Sequence, residues 1–276
     1  MRIIYALCLR NIRAFLRDKT RAVFTLLFPL LFVFVFREIF SNEFIDNPVT
    51  FILAGIVMVT VFDFALRISS STIDDIVSGF MKEVLVSPAP RISIAIGQFL
   101  SSALISMIQG LIILGVGFFI GLRVTTPFTI VYALLAMVAI GLVFAGFGLF
   151  LAVTSKSTQT FQVITMTITT PMTFISGAYI PLSFLPQWLV NVSYFNPLTY
   201  AVALFRAIIL EQTNYSQFDL INKGLAFEIG SFTITPFISL IILVAFGLLF
   251  MVLSTMKFLR LDFSRINRNK GDEIKM

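Results

Sequence analysis

Asp63 and Arg67 stand four residues apart inside a long apolar run, and an acid and a base at that spacing share one helix face. Within a bilayer such a pair is a candidate handle for a proton or substrate; it can equally be an ion pair that seats one helix end. Thr158, Gln162, Thr165, Thr169, Thr173 and Ser176 step by three or four residues and draw one polar stripe along a helix. A stripe of this kind lines a pathway or joins two helices, either within a chain or between copies. From Thr72 to Pro88 the charges gather: Asp74, Asp75, Lys82 and Glu83 oppose an apolar face of Ile73, Ile76, Val77, Phe80, Val84 and Leu85. Thr72 with Asp75 can cap this helix and Pro88 ends it. The apolar face suits lipid or a groove in another protein. Beyond residue 180 an apolar stretch is broken by Pro181, Pro186 and Pro197, with Trp188, Asn191, Tyr194 and Asn196 between them.

Other chemistries are excluded by composition. The chain has no histidine and one cysteine, Cys8, so the common zinc and haem sites, nucleophile–histidine pairs and internal disulfides are ruled out, and no metal site is expected. The dipeptide Gly-Lys never occurs, and a Walker A loop requires it. If nucleotide energy is used, another polypeptide binds it.

The elements that must position these residues are membrane helices. Of 276 residues, 58% are hydrophobic and 12% charged, against about 25% charged in soluble domains. The apolar runs are continuous over about 20 residues, which fits helices and not the alternation of a barrel. The expectation is a single all-α membrane domain with six transmembrane helices at 22–40, 49–69, 92–121, 128–153, 159–180 and 232–256. An N-terminal amphipathic helix over 1–20 carries Arg10, Arg13 and Arg17 on one side, with Ile4, Leu7 and Phe15 free to turn to the membrane; such a helix lies in the interface and meets anionic headgroups. Residues 181–205 are too short between prolines to cross a bilayer and read as two re-entrant half-helices. The segment 206–231 reads as an external loop and 257–276 as a basic tail. Gly117 with Gly121, and Gly141, Ala145, Gly148 and Ala152, have spacing for close helix packing.

Six spans place both termini on one side. Most of the 20 Lys and Arg fall there, leaving Arg37, Arg123, Arg206 and Lys223. By the positive-inside rule that side, with both termini and the 72–88 helix, is cytoplasmic, and the proline-broken region is external. The net charge of +6 then reflects cytoplasmic loops and not a nucleic-acid partner.

Two stretches carry a family resemblance. Ser176 to Arg206, SGAYIPLSFLPQWLVNVSYFNPLTYAVALFR, and Gly79 to Arg91, GFMKEVLVSPAPR, resemble the membrane subunits of ATP-binding-cassette exporters called type-2 permeases. The resemblance implies a homodimer in the plasma membrane, each copy engaging a separate ATPase subunit that carries ATP and Mg, with no cofactor on this chain. The 72–88 segment would be the coupling helix, with Ile73, Asp74, Ile76, Val77, Phe80, Met81, Lys82 and Glu83 at the ATPase contact. The family pattern often has a Glu beside the coupling Gly, where the nearby acids here are Asp74, Asp75 and Glu83. The first and fifth spans would meet near the dimer axis. The function implied is export of a lipophilic or amphipathic, drug-like substrate; export of a lipid-linked polysaccharide or teichoic acid is the neighbouring reading. An intramembrane enzyme using Asp63 and Arg67, or a non-transporting scaffold, are the readings of another class.

Overall fold

The computed structural model describes residues 2–17, 27, 29–35, 48–77, 90–122, 126–211, 226–229 and 232–260. It is almost entirely helical. Helix α1 spans Arg2–Arg17 and a helical stretch, α2, covers 29–35. Helix α3 (Pro48–Ile68) runs through one turn residue, Ser69, into α4 (Ser70–Val77). Then come α5 (Arg91–Ile120), α6 (Pro127–Thr154) and α7 (Thr158–Ile175). A 3-10 turn (Leu182–Phe184) precedes α8 (Gln187–Ser193) and α9 (Pro197–Ile209), and the described chain ends with α10 (Pro236–Arg260).

Four described helices are long and apolar enough to cross a membrane: Val49–Asp75, Arg91–Ile120, Pro127–Thr154 and Pro236–Arg260. Their boundaries follow from proline, which is tolerated in the first helical turn and not beyond it: Pro48, Pro127 and Pro236 each open a helix. Helices Pro48–Ile68, Arg91–Ile120 and Pro127–Thr154 lie over the segments 49–69, 92–121 and 128–153. The last helix starts at Pro236, because Phe232–Ile234 pairs instead with Phe227–Ile229 as a two-stranded antiparallel ribbon, β1–β2. That short ribbon sits in a chain that is otherwise helical, consistent with an all-α membrane protein. The first expected span lies mostly outside the described residues. The fifth is a helix of 18 residues, but seven of them are threonine. It ends at Ile175 and not at 180, because Gly177 takes φ +78, a left-handed conformation that stops a helix.

The core is built from α3, α5, α6, α9 and α10. Helix α3 is enclosed by α5, α6 and α9, and α10 packs along α6 and α9. Phe62, Phe144 and Phe205 are fully buried there. Along the α6–α10 seam Phe147 and Phe150 meet Phe250 with ring centroids 4.8 and 5.3 Å apart, a spacing at which edge contacts add to burial. The small residues act as their spacing suggests at Gly141, which faces Ala103 and Ser106, and at Gly148, which faces Leu66 and Ser69. Gly121 does not pack; it ends α5.

Two surface expectations change. Leu7 and Phe15 are buried against the bundle and do not face the membrane; Phe15 meets Phe64 edge-on at 6.0 Å. The outward apolar side chains of α1 are Tyr5 and Leu16. Arg206 lies in the last turn of α9 and is buried, so the polar loop starts later than 206.

Candidate functional site

Residues at the α1–α4–α7 junction come together first. Ser69 is a single turn residue between α3 and α4, so α4 continues the most buried of the membrane-length helices, Val49–Asp75. Helix α1 is seated on α5 by buried polar groups: Asn11 Nδ2 donates to Gln98 Oε1 (3.0 Å) and Ser101 Oγ (2.9 Å). One residue before, Arg10 forks onto Asp75 of α4, with Nη2–Oδ2 at 2.6 Å and Nη1–Oδ1 at 3.2 Å. A two-pronged guanidinium–carboxylate contact fixes orientation as well as distance. Next along α4, Asp74 accepts a hydrogen bond from Thr158 Oγ1 (2.7 Å) at the start of α7. The two acids of α4 thus hold α1 and α7 to the same short helix.

This arrangement alters the expected ATPase contact. Ile73 is 3% exposed among the chain's own helices and is removed from any outward surface. Helix α4 begins at Ser70, so Thr72 lies inside it, buried, and its hydroxyl finds no hydrogen-bond partner among the described residues; it is not the cap. Asp74 is exposed. Ile76 and Val77 belong to the last described turn, and Phe80, Met81, Lys82 and Glu83 lie outside the described residues.

Asp63 and Arg67 do form their pair, Oδ2–Nε 2.6 Å. Arg67, with Asn11, Ser70, Ser71 and Asp74, lines a small cavity of about 150 Å³ beside the junction. The pair sits at the open end of α3, and Arg67 is exposed.

The polar stripe faces inward. Thr165, Thr169 and Ser176 are buried within this chain, Thr158 and Thr173 are half-buried, and only Gln162 is exposed. Ser176 serves its own helix end, donating to Thr173 O (2.7 Å) and accepting from Ala178 N (3.2 Å). The outward side of α7 carries Val163, Met166 and Phe174.

The proline-broken region folds as two helices bent by 88° at 194–196. Pro186 caps α8 and Pro197 opens α9; Trp188 is 66% exposed. Asn196 accepts from Leu198 N (3.0 Å) and donates Nδ2 to Met172 O (2.7 Å). Pro181 is buried beside the short 3-10 turn.

Sequence reading passed over Arg206 as a site residue. It is 2% exposed. Nη2 donates to Gly177 O (2.8 Å) and Ala178 O (2.9 Å), Nε to Phe51 O (3.2 Å), and the guanidinium lies 3.4 Å from the centroid of the Phe51 ring. The available signal was one cation inside PLTYAVALFRAII, since a lone charge in an apolar helix must find a partner.

Across this architecture, residues 2–210, from α1 through the end of α9, match the family model described as ABC-2 type transporter. The chain belongs to that family. It is a membrane permease subunit of an ABC transporter, a transport subunit and not an enzyme, and membership implies an ATP-binding-cassette partner. Among its relatives, the putative transport permease ycf38 of Cyanophora paradoxa is 29% identical over 249 residues, covering 86% of this chain and 83% of the relative. The inner membrane transport permease YadH of Escherichia coli strain K12 is 25% identical over 160 residues, covering 56% of this chain and 60% of YadH. The probable multidrug ABC transporter permease YbhR of the same strain is 26% identical over 161 residues, 58% of this chain and 43% of YbhR. Among the described residues no group of acids and cysteine could hold a metal ion.

Proposed function

We propose that this ABC-2 permease exports a lipophilic or amphipathic, drug-like substrate as a homodimer in the plasma membrane, with both termini cytoplasmic. Each copy engages a separate ATPase subunit that binds ATP and Mg. The observation that carries the reading is the α1–α4–α7 junction. Helix α4 prolongs a transmembrane helix without a loop, and its acids bind both Arg10 and Thr158. A push delivered just beyond Val77 therefore reaches three helices at once. The residues that follow, Phe80 to Glu83 with Val84, form the seat for the ATPase. The inside position of this end rests on the basic side chains of α1 and α10. The drug-like class is supported by the name of YbhR and by the scarcity of charge on the helices.

The test is co-expression with the cassette ATPase. A stable complex whose ATP hydrolysis depends on the permease is expected. Phe80→Asp with Val84→Asp should abolish co-purification, since each apolar side chain contributes about 1.5–3 kcal/mol when buried. An unchanged complex would reject the seat. Stimulation of hydrolysis by a lipid-linked polysaccharide and not by lipophilic drugs would transfer the substrate to the neighbouring reading.

A further inference from the structure

Two of the carbonyl groups that Arg206 holds, Gly177 O and Ala178 O, lie in the turn just beyond the end of α7 at Ile175. The last carbonyls of α7 have no acceptor role inside the helix, and the helix dipole makes that end partially negative. Three side chains act here: Asn196 takes Met172 O and Ser176 takes Thr173 O at that helix end, and Arg206 takes Gly177 O and Ala178 O in the turn that follows. Arg206 alone also reaches another transmembrane helix, binding Phe51 through both its carbonyl and its ring. The same seam is closed from the other side by Gly55, where an added Cβ would strike Ala178 O. Helix α3 and the 177–178 turn are thus in backbone contact, and one guanidinium spans them from α9.

Among the described residues this buried cation has only carbonyl oxygens as hydrogen-bond partners. A charge removed from water is costly unless fixed dipoles replace its hydration. The aromatic face and the three carbonyls do so only while α3, the 177–178 turn and α9 keep this relative placement. The contact therefore favours the three moving as one body. Because α3 continues into α4, the line of rigid contact runs from the coupling end through Phe51 and Gly55 to the bent pair α8–α9.

The geometry points to Arg206 as a positioning residue that makes α8 and α9 follow the movement of α3 when the ATPase subunit binds ATP. This rests on the transport reading above for its source of movement, and its readout is chosen not to need the substrate. Lysine would supply donors without the planar fork, so it should preserve the charge and only part of the linkage. Methionine should fill the space and abolish it.

The experiment uses the permease in complex with its ATPase, a nitroxide attached at Trp188→Cys on α8, and ATP binding without turnover. With Arg206 present, ATP should shift the ratio of the two label states roughly tenfold, the usual scale of coupling between sites. Arg206→Met should remove that shift and Arg206→Lys retain part of it, with complex assembly and basal hydrolysis kept in both. An equal ATP-driven shift in Arg206→Met would overturn the proposal. So would a wild-type label that ignores ATP, or a loss of assembly that lysine does not relieve, which would make Arg206 a folding element only. Failure of the complex to move ethidium, with the label shift intact, would count against the drug reading and leave the role of Arg206 standing.

Discussion

Arg10 and Asp75 test the junction at the scale of single residues. Their two hydrogen bonds are partly exposed, with 35% and 17% of the side chains accessible, so water discounts the attraction. Removing either partner should cost about 1 kcal/mol in a thermal unfolding assay of the detergent-solubilised permease. The reversal Arg10→Asp with Asp75→Arg should recover part of that loss in a double-mutant cycle. Additive losses, with no recovery on reversal, would remove the pair from the account of how α1 is held. Local spacing could show that Arg10 belongs to a basic stripe, but its partner lies 65 residues away and no periodicity announces it. The same reason hid Arg206, whose acceptors are backbone carbonyls and carry no residue type at all. Asp63 and Arg67 were legible because i and i+4 neighbours meet on any helix.

At the scale of elements, the close contact of α3 with the turn after α7 makes a sharp contrast among glycines. Any side chain at Gly55 would strike the backbone of Ala178, and backbone cannot yield as a flexible side chain can. Gly55→Ala should therefore destabilise the permease by about 1–3 kcal/mol, the cost of overpacking. Gly115, on α5, has nothing within 4 Å of an added Cβ; Gly115→Ala should be neutral or stabilise by up to about 1 kcal/mol. Melting curves of the two variants decide it, and equal melting points would reject the contact. The same elements show what a sequence reveals about boundaries. The long apolar runs opened by Pro48 and Pro127 coincide with helices, whereas the run expected from 232 begins in a strand and becomes helical only at Pro236. Ile175 as the end of α7 depended on Gly177 adopting φ +78, whereas glycines such as Gly141 and Gly148 lie inside a helix. The ribbon of Phe227–Ile229 with Phe232–Ile234 is three residues a side, too short for alternation to register against an apolar helix beginning nearby.

Across the whole molecule, the orientation of α7 has the widest consequence. The sequence placed six polar residues on one line and left open whether that line meets the chain's own helices, a pathway or a second copy. Periodicity defines a face, but only packing says which way it turns. Here the face with Thr165 and Thr169 turns inward, and Met166, 71% exposed, looks out with Val163 and Phe174. On the homodimer reading, Met166 is then the member of α7 placed to meet a partner, and Thr165 is not. Single cysteines can separate them in an otherwise native chain. Cys8 is buried, donates Sγ–H to Gly97 O at 3.5 Å, and its thiol is pushed up from its usual range by desolvation. A raised pKa keeps less thiolate at neutral pH, so oxidation of Cys8 should be slow. Met166→Cys should give a disulfide-linked dimer in membranes under mild oxidation, read as a doubled mass on a non-reducing gel, and Thr165→Cys should remain a monomer. Cross-linking at 165 with none at 166 would mean that α7 turns its hydroxyl stripe toward the partner, and the inward placement of that stripe would have to be given up.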